Sequence, residues 1–266
     1  MSELNRQLEF AITTAHEAGR LTLGYFDREL LVEAKADESP VTVADREAER
    51  LIRERIERSY PQHAVLGEEF GGAVEEGASH RWIVDPIDGT KSFIRGVPLY
   101  AVLLALEVEG EVRVGVCHFP ALGETVWAAS GMGCFRNGRR CHVSPVGELS
   151  QAFVGFTNAA SFAAHGRARE WAAIGRASAF TAGWSDAYGH ALVASGRLEV
   201  MLDPIMSPWD CGPFAVILPE AGGYFGNWSG QSGIYGNEAL SVNSALREEV
   251  LRTFAAVADS EESPED

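Results

Sequence analysis

The sequence predicts an α+β first half followed by an α/β second half, and three patterns carry that prediction. Apolar residues recur at helical spacing near the N-terminus, at Leu4, Leu8, Ile12, Ala15, Gly19, Thr22 and Phe26. Three β-rich apolar runs, 101–108, 112–119 and 124–129, then follow one another as an antiparallel meander requires. Beyond Val146 short strand-like runs alternate with longer helix-like ones. The division is expected near residue 147, giving segments 1–147 and 148–258. Residues 259–266 carry five acidic side chains and no large apolar one, so a disordered tail is expected there.

The elements follow in order. A second helix starts between Thr42 and Asp45, with Ala48, Leu51, Ile52 and Ile56 as its apolar stripe. Seven arginines and glutamates between Glu49 and Arg58 are expected to face water. Tyr60-Pro61 ends the helix, because a proline disfavours helical backbone in the residue before it. Ala64-Val65-Leu66 reads as a short strand leading to Gly67-Glu68-Glu69, and the loop 71–79 delivers the chain to a strand at 81–84. Gly110 marks one turn of the meander, and Asn137-Gly138, tolerant of positive φ, a further hairpin. The second half reads as strand 153–156, helix 162–174, helix 186–195, strand 198–202 and helix 210–220.

The chemistry concentrates where the strand at 81–84 ends, in the run Asp85-Pro86-Ile87-Asp88-Gly89-Thr90-Lys91-Ser92-Phe93. Asp85 and Asp88 are hard oxygen donors three residues apart, Pro86 sets the turn between them, and Ile87 can offer a cation only its carbonyl. Gly89 and Thr90 add backbone N–H groups and a hydroxyl at the start of a short helix, a seat for an anion. Asp-Pro-x-Asp-Gly is also ordinary turn chemistry on any surface.

Composition bounds the partners. Thirty-eight acidic against 22 basic residues give a net charge of −16, which disfavours nucleic-acid backbones and anionic membranes. A phosphate ester would be repelled too, so bound cations would have to reverse the local potential. The 46% hydrophobic content can bury a substantial core. Cys117, Cys134, Cys141 and Cys211 show neither CxxC spacing nor disulfide-framework density, and the N-terminus has neither a basic nor an apolar leader, so a cytoplasmic location with reduced thiols is expected. No run of glycines precedes a dinucleotide-type helix, and the seven histidines lack metal-ligand spacing; they read as structural or exposed.

The DPIDGT core at 85–90, together with Gly67-Glu68-Glu69 upstream and Trp209-Asp210 followed by Pro219-Glu220-Ala221-Gly222-Gly223 downstream, resembles the inositol monophosphatase family. The resemblance runs from about residue 5 to about residue 258 of this sequence. It implies a layered αβαβα sandwich and a magnesium-dependent, lithium-sensitive phosphatase, often dimeric, that hydrolyses a small phosphorylated metabolite by direct attack of metal-activated water, with no phosphoenzyme. By the same resemblance Glu68, Asp85 and the Ile87 carbonyl would hold a first magnesium, Asp85, Asp88 and Asp210 a second, and Glu68 the attacking water, directly or through a third ion. Thr90 and Asp45 would form the water-activating pair. An aspartate in a helix's first turn is common for dipole reasons alone, and Asp210 ahead of Cys211-Gly212-Pro213 also suits a helix N-cap.

The metal motif is shared across substrates, so the periphery has to discriminate. Lys91 and Ser92 stand where inositol-specific members usually carry a threonine and an asparagine. Lys35 and Lys91 are the two lysines of the chain, and both flank the expected site. The segment Gly183-Trp184-Ser185-Asp186-Ala187 looks like the histidinol-phosphatase subgroup, and Asp203 stands where inositol members place a glutamate. Asp186 and Asp203 beside the Trp184 ring, with Ser185, would suit a leaving group carrying an ammonium and an imidazole. Asp186 as a helix cap, an inositol-1-phosphatase of broad specificity, and a non-catalytic phosphate-binding regulatory protein on the same fold are the competing possibilities.

Overall fold

The structure, a computed structural model, describes residues 2–28, 32–34, 40–72 and 78–259. The elements run α1 (Glu3–Leu23), β1 (Val32–Ala34), β2 (Pro40–Thr42), α2 (Val43–Ser59), β3 (Ala64–Gly67), β4 (His80–Asp88), α3 (Thr90–Phe93), β5 (Ala101–Val108), β6 (Glu111–Phe119), β7 (Glu124–Ala129), β8 (Gly133–Arg136) and β9 (Arg139–Cys141). They continue as β10 (Phe153–Phe156), α4 (Ala159–Ala164), α5 (Ala168–Ala177), β11 (Phe180–Ala182), α6 (Asp186–Ala194), β12 (Val200–Asp203), α7 (Pro208–Cys211), α8 (Phe214–Glu220), β13 (Gly223–Gly226), β14 (Ala239–Asn243) and α9 (Arg247–Asp259).

Two sheets result. The seven-stranded sheet follows chain order β3 to β9, parallel only between β3 and β4 and antiparallel thereafter. The five-stranded sheet has order β11-β10-β12-β14-β13 and is mixed: β10 runs parallel to β11 and β12, while β14 runs antiparallel to β12 and β13.

Side-chain alternation along the strands sorts the core into layers. Trp82, Val84, Val102, Leu104 and Val116 meet Leu8, Ala11, Ala15, Ile52 and Ile56 of α1 and α2. Ile83, Leu103, Cys117 and Phe119 point the other way, into a layer formed by α6 and α8, where Phe214 and Ile217 are fully buried. The outer face of the second sheet, through Val154, Val200, Leu202 and Val242, packs on Phe162, Ile174, Val250 and Phe254 of α4, α5 and α9. The order of layers is therefore αβαβα. Each wholly buried large apolar side chain contributes roughly 1.5–3 kcal/mol.

The departures from the sequence reading have local causes. The expected turn at Asp85-Pro86 is a bulge inside β4: pairing with β5 shifts register between Asp85 and Asp88, so the strand runs four residues further than 81–84. Proline is tolerated there because a bulge leaves its position without a ladder bond. The helix expected at 162–174 is two, broken where Gly166 adopts φ 71°. The helix expected at 210–220 is likewise interrupted at Gly212-Pro213. Glu49, expected in water, is fully buried. At Asn137-Gly138 both residues have positive φ, 49° and 75°, and close the hairpin of β8 and β9. Strands β11, β13 and β14 and helix α9 had no counterpart in the sequence reading. Lys35 and residues 260–266 of the expected tail lie outside the described residues, and Asp259 closes α9.

Candidate active site

A cavity of about 470 Å³ opens where β3 and β4 of the first sheet, α3, α6, α7 and the end of β12 converge. Glu68, Asp85, Ile87, Asp88, Gly89, Thr90, Lys91, Asp186, Asp203 and Asp210 all line it. Residues separated by more than a hundred positions meet here because each sits at an element's end.

Glu68 follows β3 directly, its N–H donating to the Val84 carbonyl at 3.2 Å and so extending the parallel pairing with β4. The next two residues are fastened by Glu49 of α2, whose carboxylate accepts from the backbone N–H groups of Glu69 (2.7 Å) and Phe70 (3.3 Å) and is paired with Arg53. The bulge presents Asp85 and Asp88. Asp85 Oδ1 accepts from the Ile87 N–H at 3.0 Å, and Asp88 Oδ2 accepts from the Ala187 N–H at 2.8 Å, which ties β4 to the start of α6. Gly89 stands at φ 78°, and a β-carbon there would lie 2.9 Å from Asp186 Oδ2. Only glycine meets both conditions without strain.

Asp210 and Asp45 have the same structural job, each as the third residue of a helix in a capping box: Asp210 Oδ2 accepts from the Ser207 N–H (2.8 Å) and Asp45 Oδ2 from the Thr42 N–H (2.8 Å). Asp45 is thus the first-turn acid that the sequence allowed, whereas Asp210 is not an N-cap: Ser207 holds that position and Asp210 closes the box from the third. Their positions differ: Asp210 lines the cavity, whereas Asp45 is wholly buried behind Thr90. The Thr90 hydroxyl lies 3.5 Å from Asp45 Oδ1 and donates to the Ile87 carbonyl at 3.1 Å.

Electrostatically the cluster is unbalanced. Oxygen atoms of Asp85, Asp88 and Asp210 lie within 4.8 Å of one another, and the Glu68 carboxyl is in hydrogen-bonding contact with Asp85. Burial, then the charges of Glu68, Asp88 and Asp210, hold the Asp85 carboxyl well above the ordinary carboxylate range. Asp88 is raised by burial and then by Asp186 and Asp210. Asp210 is pushed up to about 7, chiefly by burial, against the hydrogen bond from Ser207. Asp186 rises to about 6 through burial and the charge of Asp203, opposed by Ser185 and Lys91. Carboxylates crowded this way favour either protons or a cation, and a set made only of oxygen donors fits a hard divalent ion.

The model of the inositol monophosphatase family matches residues 3–260. The chain belongs to that family. A protein of Chlorobaculum parvum described as histidinol-phosphatase is 45% identical over 96% of this chain and 97% of its own length. A Mycobacterium tuberculosis protein of the same description is 38% identical over 94% and 98%. Among solved structures, the extragenic suppressor protein suhB of Bartonella henselae superposes with a TM-score of 0.86 at 28% identity, covering 93% of this chain and 98% of that one.

In this member of the inositol monophosphatase family the cavity lining differs in places from the sequence reading. Trp184 and Ser185 do not line it. Trp184 packs beside Phe180, with ring centroids 6.2 Å apart, and against the α6–α8 layer. Ser185 hydrogen-bonds the Asp186 carboxyl from the α6 cap position instead. Asp186 is the first helical residue rather than the cap, with φ 54°. Thr157, Ser161, Ile205 and Trp209 line the cavity without having been anticipated as ligands. Glu49 was missed as well, although the spacing Asp45, Glu49, Ile52, Ile56 places it on the apolar stripe of α2.

Proposed function

We propose that the chain is a magnesium-dependent histidinol-phosphate phosphatase, cleaving a phosphate monoester whose leaving group carries an ammonium and an imidazole. The observation that carries this reading is a second pair of acids, the half-buried Asp186 and the buried Asp203, on the cavity wall beyond the crowded Glu68, Asp85, Asp88 and Asp210. The first set provides oxygen donors for two or three magnesium ions, with Asp85 central and the Ile87 carbonyl beside it. Bound magnesium would supply charge neutralisation on the phosphoryl oxygens, a more acidic water and support for the leaving oxygen.

The chain's own residues then have distinct tasks. Gly89 and Thr90 at the start of α3 line the seat for the phosphate. Thr90, backed by Asp45, can take or pass a proton at Oγ1. Glu68, whose two following residues are fastened by Glu49, orients the attacking water. Asp186 and Asp203 present negative charge to the cationic leaving group, which a neutral polyol would not need. The names of the 45% and 38% identical relatives point the same way.

A cytoplasmic location, lithium sensitivity and a homodimer complete the proposal. Free thiols at all four cysteines suit a reducing compartment, and no described helix is long and apolar enough to cross a membrane. The exposed pair Phe153 and Phe180, with ring centroids 5.2 Å apart at the edge of the second sheet, suits self-association. The test is phosphate release from histidinol phosphate with magnesium and with a chelator. Magnesium-dependent release is expected, and no release from any small monoester would favour a binding protein instead.

A further inference from the structure

Behind Asp203 lies a polar chain that touches none of the proposed metal ligands. His190 of α6 is fully buried, its ring 4.9 Å from that of Phe214 and 6.0 Å from that of Phe225. Its Nε2 lies 3.1 Å from Asp203 Oδ2, and its Nδ1 lies 2.7 Å from Ser241 Oγ. Strand register explains how one ring reaches both. Met201 is paired with Ser241 and Asp203 with Ala239, so Asp203 and Ser241 are diagonal neighbours on one face of the sheet, and α6 crosses that face.

The chemistry assigns the protons. An ionised carboxylate only accepts, so His190 Nε2 carries the hydrogen toward Asp203. In the neutral ring Nδ1 is then an acceptor, and the fully buried Ser241 hydroxyl donates to it. Asp203 is thus held from the protein side by one aimed N–H, while the residue faces the cavity beside Asp186. The two adjacent acids repel, and without that donor Asp203 could relieve the repulsion by turning away. A site for a cation needs it to stay in place.

Building on the substrate reading above, we propose that His190 is a specificity-positioning residue: relayed from Ser241, it fixes Asp203 in the orientation that receives a cationic leaving group. It does not touch the reacting atoms. Its effect is on discrimination between substrates, through KM for the cationic ester.

The test compares His190→Phe, which keeps ring packing against Phe214 and Phe225, with His190→Gln, whose amide nitrogen can replace the Nε2 donor. Histidinol phosphate and glycerol 2-phosphate are the two probes. For His190→Phe the preference for histidinol phosphate, as a ratio of kcat/KM values, is expected to fall about tenfold or more, mainly through KM, and His190→Gln should recover part of it. An unchanged ratio in a folded His190→Phe protein would overturn the proposal while leaving the substrate reading intact. If the wild-type enzyme shows no preference between the probes, the substrate reading fails. The positioning role is then decided by crystallography: Asp203 should leave its wild-type rotamer in His190→Phe and keep it in His190→Gln, and an unmoved Asp203 in His190→Phe overturns it.

Discussion

Replacing Asp210 by asparagine should make the metal-free protein more stable while destroying its use of magnesium. Asparagine keeps the shape and can still accept from the Ser207 N–H, so the capping box survives and only the charge is lost. In the folded chain the Asp210 carboxyl titrates at about 7 instead of 3.8, mainly because burial penalises its charged form. Between those values the native state holds a proton that the unfolded chain has released, so this group makes stability fall as pH rises through that window. A difference of that size corresponds to about 4 kcal/mol at full effect, and the partial exposure of Asp210 at the cavity reduces this to roughly 2 kcal/mol. In a chain of this size that is about 4–8 °C in melting temperature near pH 8, with roughly a third of the gain left near pH 5. Differential scanning fluorimetry of chelator-treated protein reads both. Magnesium should raise the wild-type melting temperature and leave that of Asp210→Asn nearly unmoved. A variant that melts lower than wild type without metal near pH 8, or that gains as much from magnesium, would show that the cluster is not an electrostatically frustrated cation site.

Three further substitutions separate the parts of the site. Asp88→Asn retains an acceptor for the Ala187 N–H, so the fold should persist by circular dichroism while kcat falls at least about a hundredfold; undiminished turnover would remove Asp88 from the metal set. Gly89→Ala forces a side chain into φ 78° against Asp186 Oδ2 and should cost roughly 1–3 kcal/mol in urea unfolding and most of the activity; a neutral result would mean that the loop is free to shift. Glu49→Ala removes the acceptor for two backbone N–H groups after Glu68 and should destabilise by roughly 3 kcal/mol. It should also weaken magnesium binding in calorimetry, and unchanged affinity would show that Glu68 needs no such latch.

How far the sequence was legible depended on the range of the forces involved. The helical stripes of α1 and α2, the meander β5–β7 and the Asn137-Gly138 hairpin are set by side-chain periodicity and local φ preference, and were readable. The bulge at Asp85–Asp88 was read as a turn because proline and glycine mark both, and only pairing with β5 tells them apart. The breaks at Gly166 and Gly212-Pro213 went unread although glycine and proline are the residues that punctuate helices. Glu49 was placed in water by its charge, although its helical position put it on the buried face; position outweighs residue type when backbone N–H groups need an acceptor. Trp184 was drawn to the site by its nearness to Asp186 in sequence, yet its ring packs beside Phe180 and on the α6–α8 layer instead. The pairing of His190 with Asp203 depends on the crossing of α6 over β12 and β14, which no local pattern encodes.

The most direct test of the proposed chemistry is turnover of histidinol phosphate, inositol 1-phosphate, fructose 1,6-bisphosphate and 3′-phosphoadenosine 5′-phosphate side by side with magnesium. With Asp186 and Asp203 on the cavity wall, kcat/KM is expected to be highest for histidinol phosphate. A value no better than that for inositol 1-phosphate would contradict the assignment of those two carboxylates to a cationic leaving group.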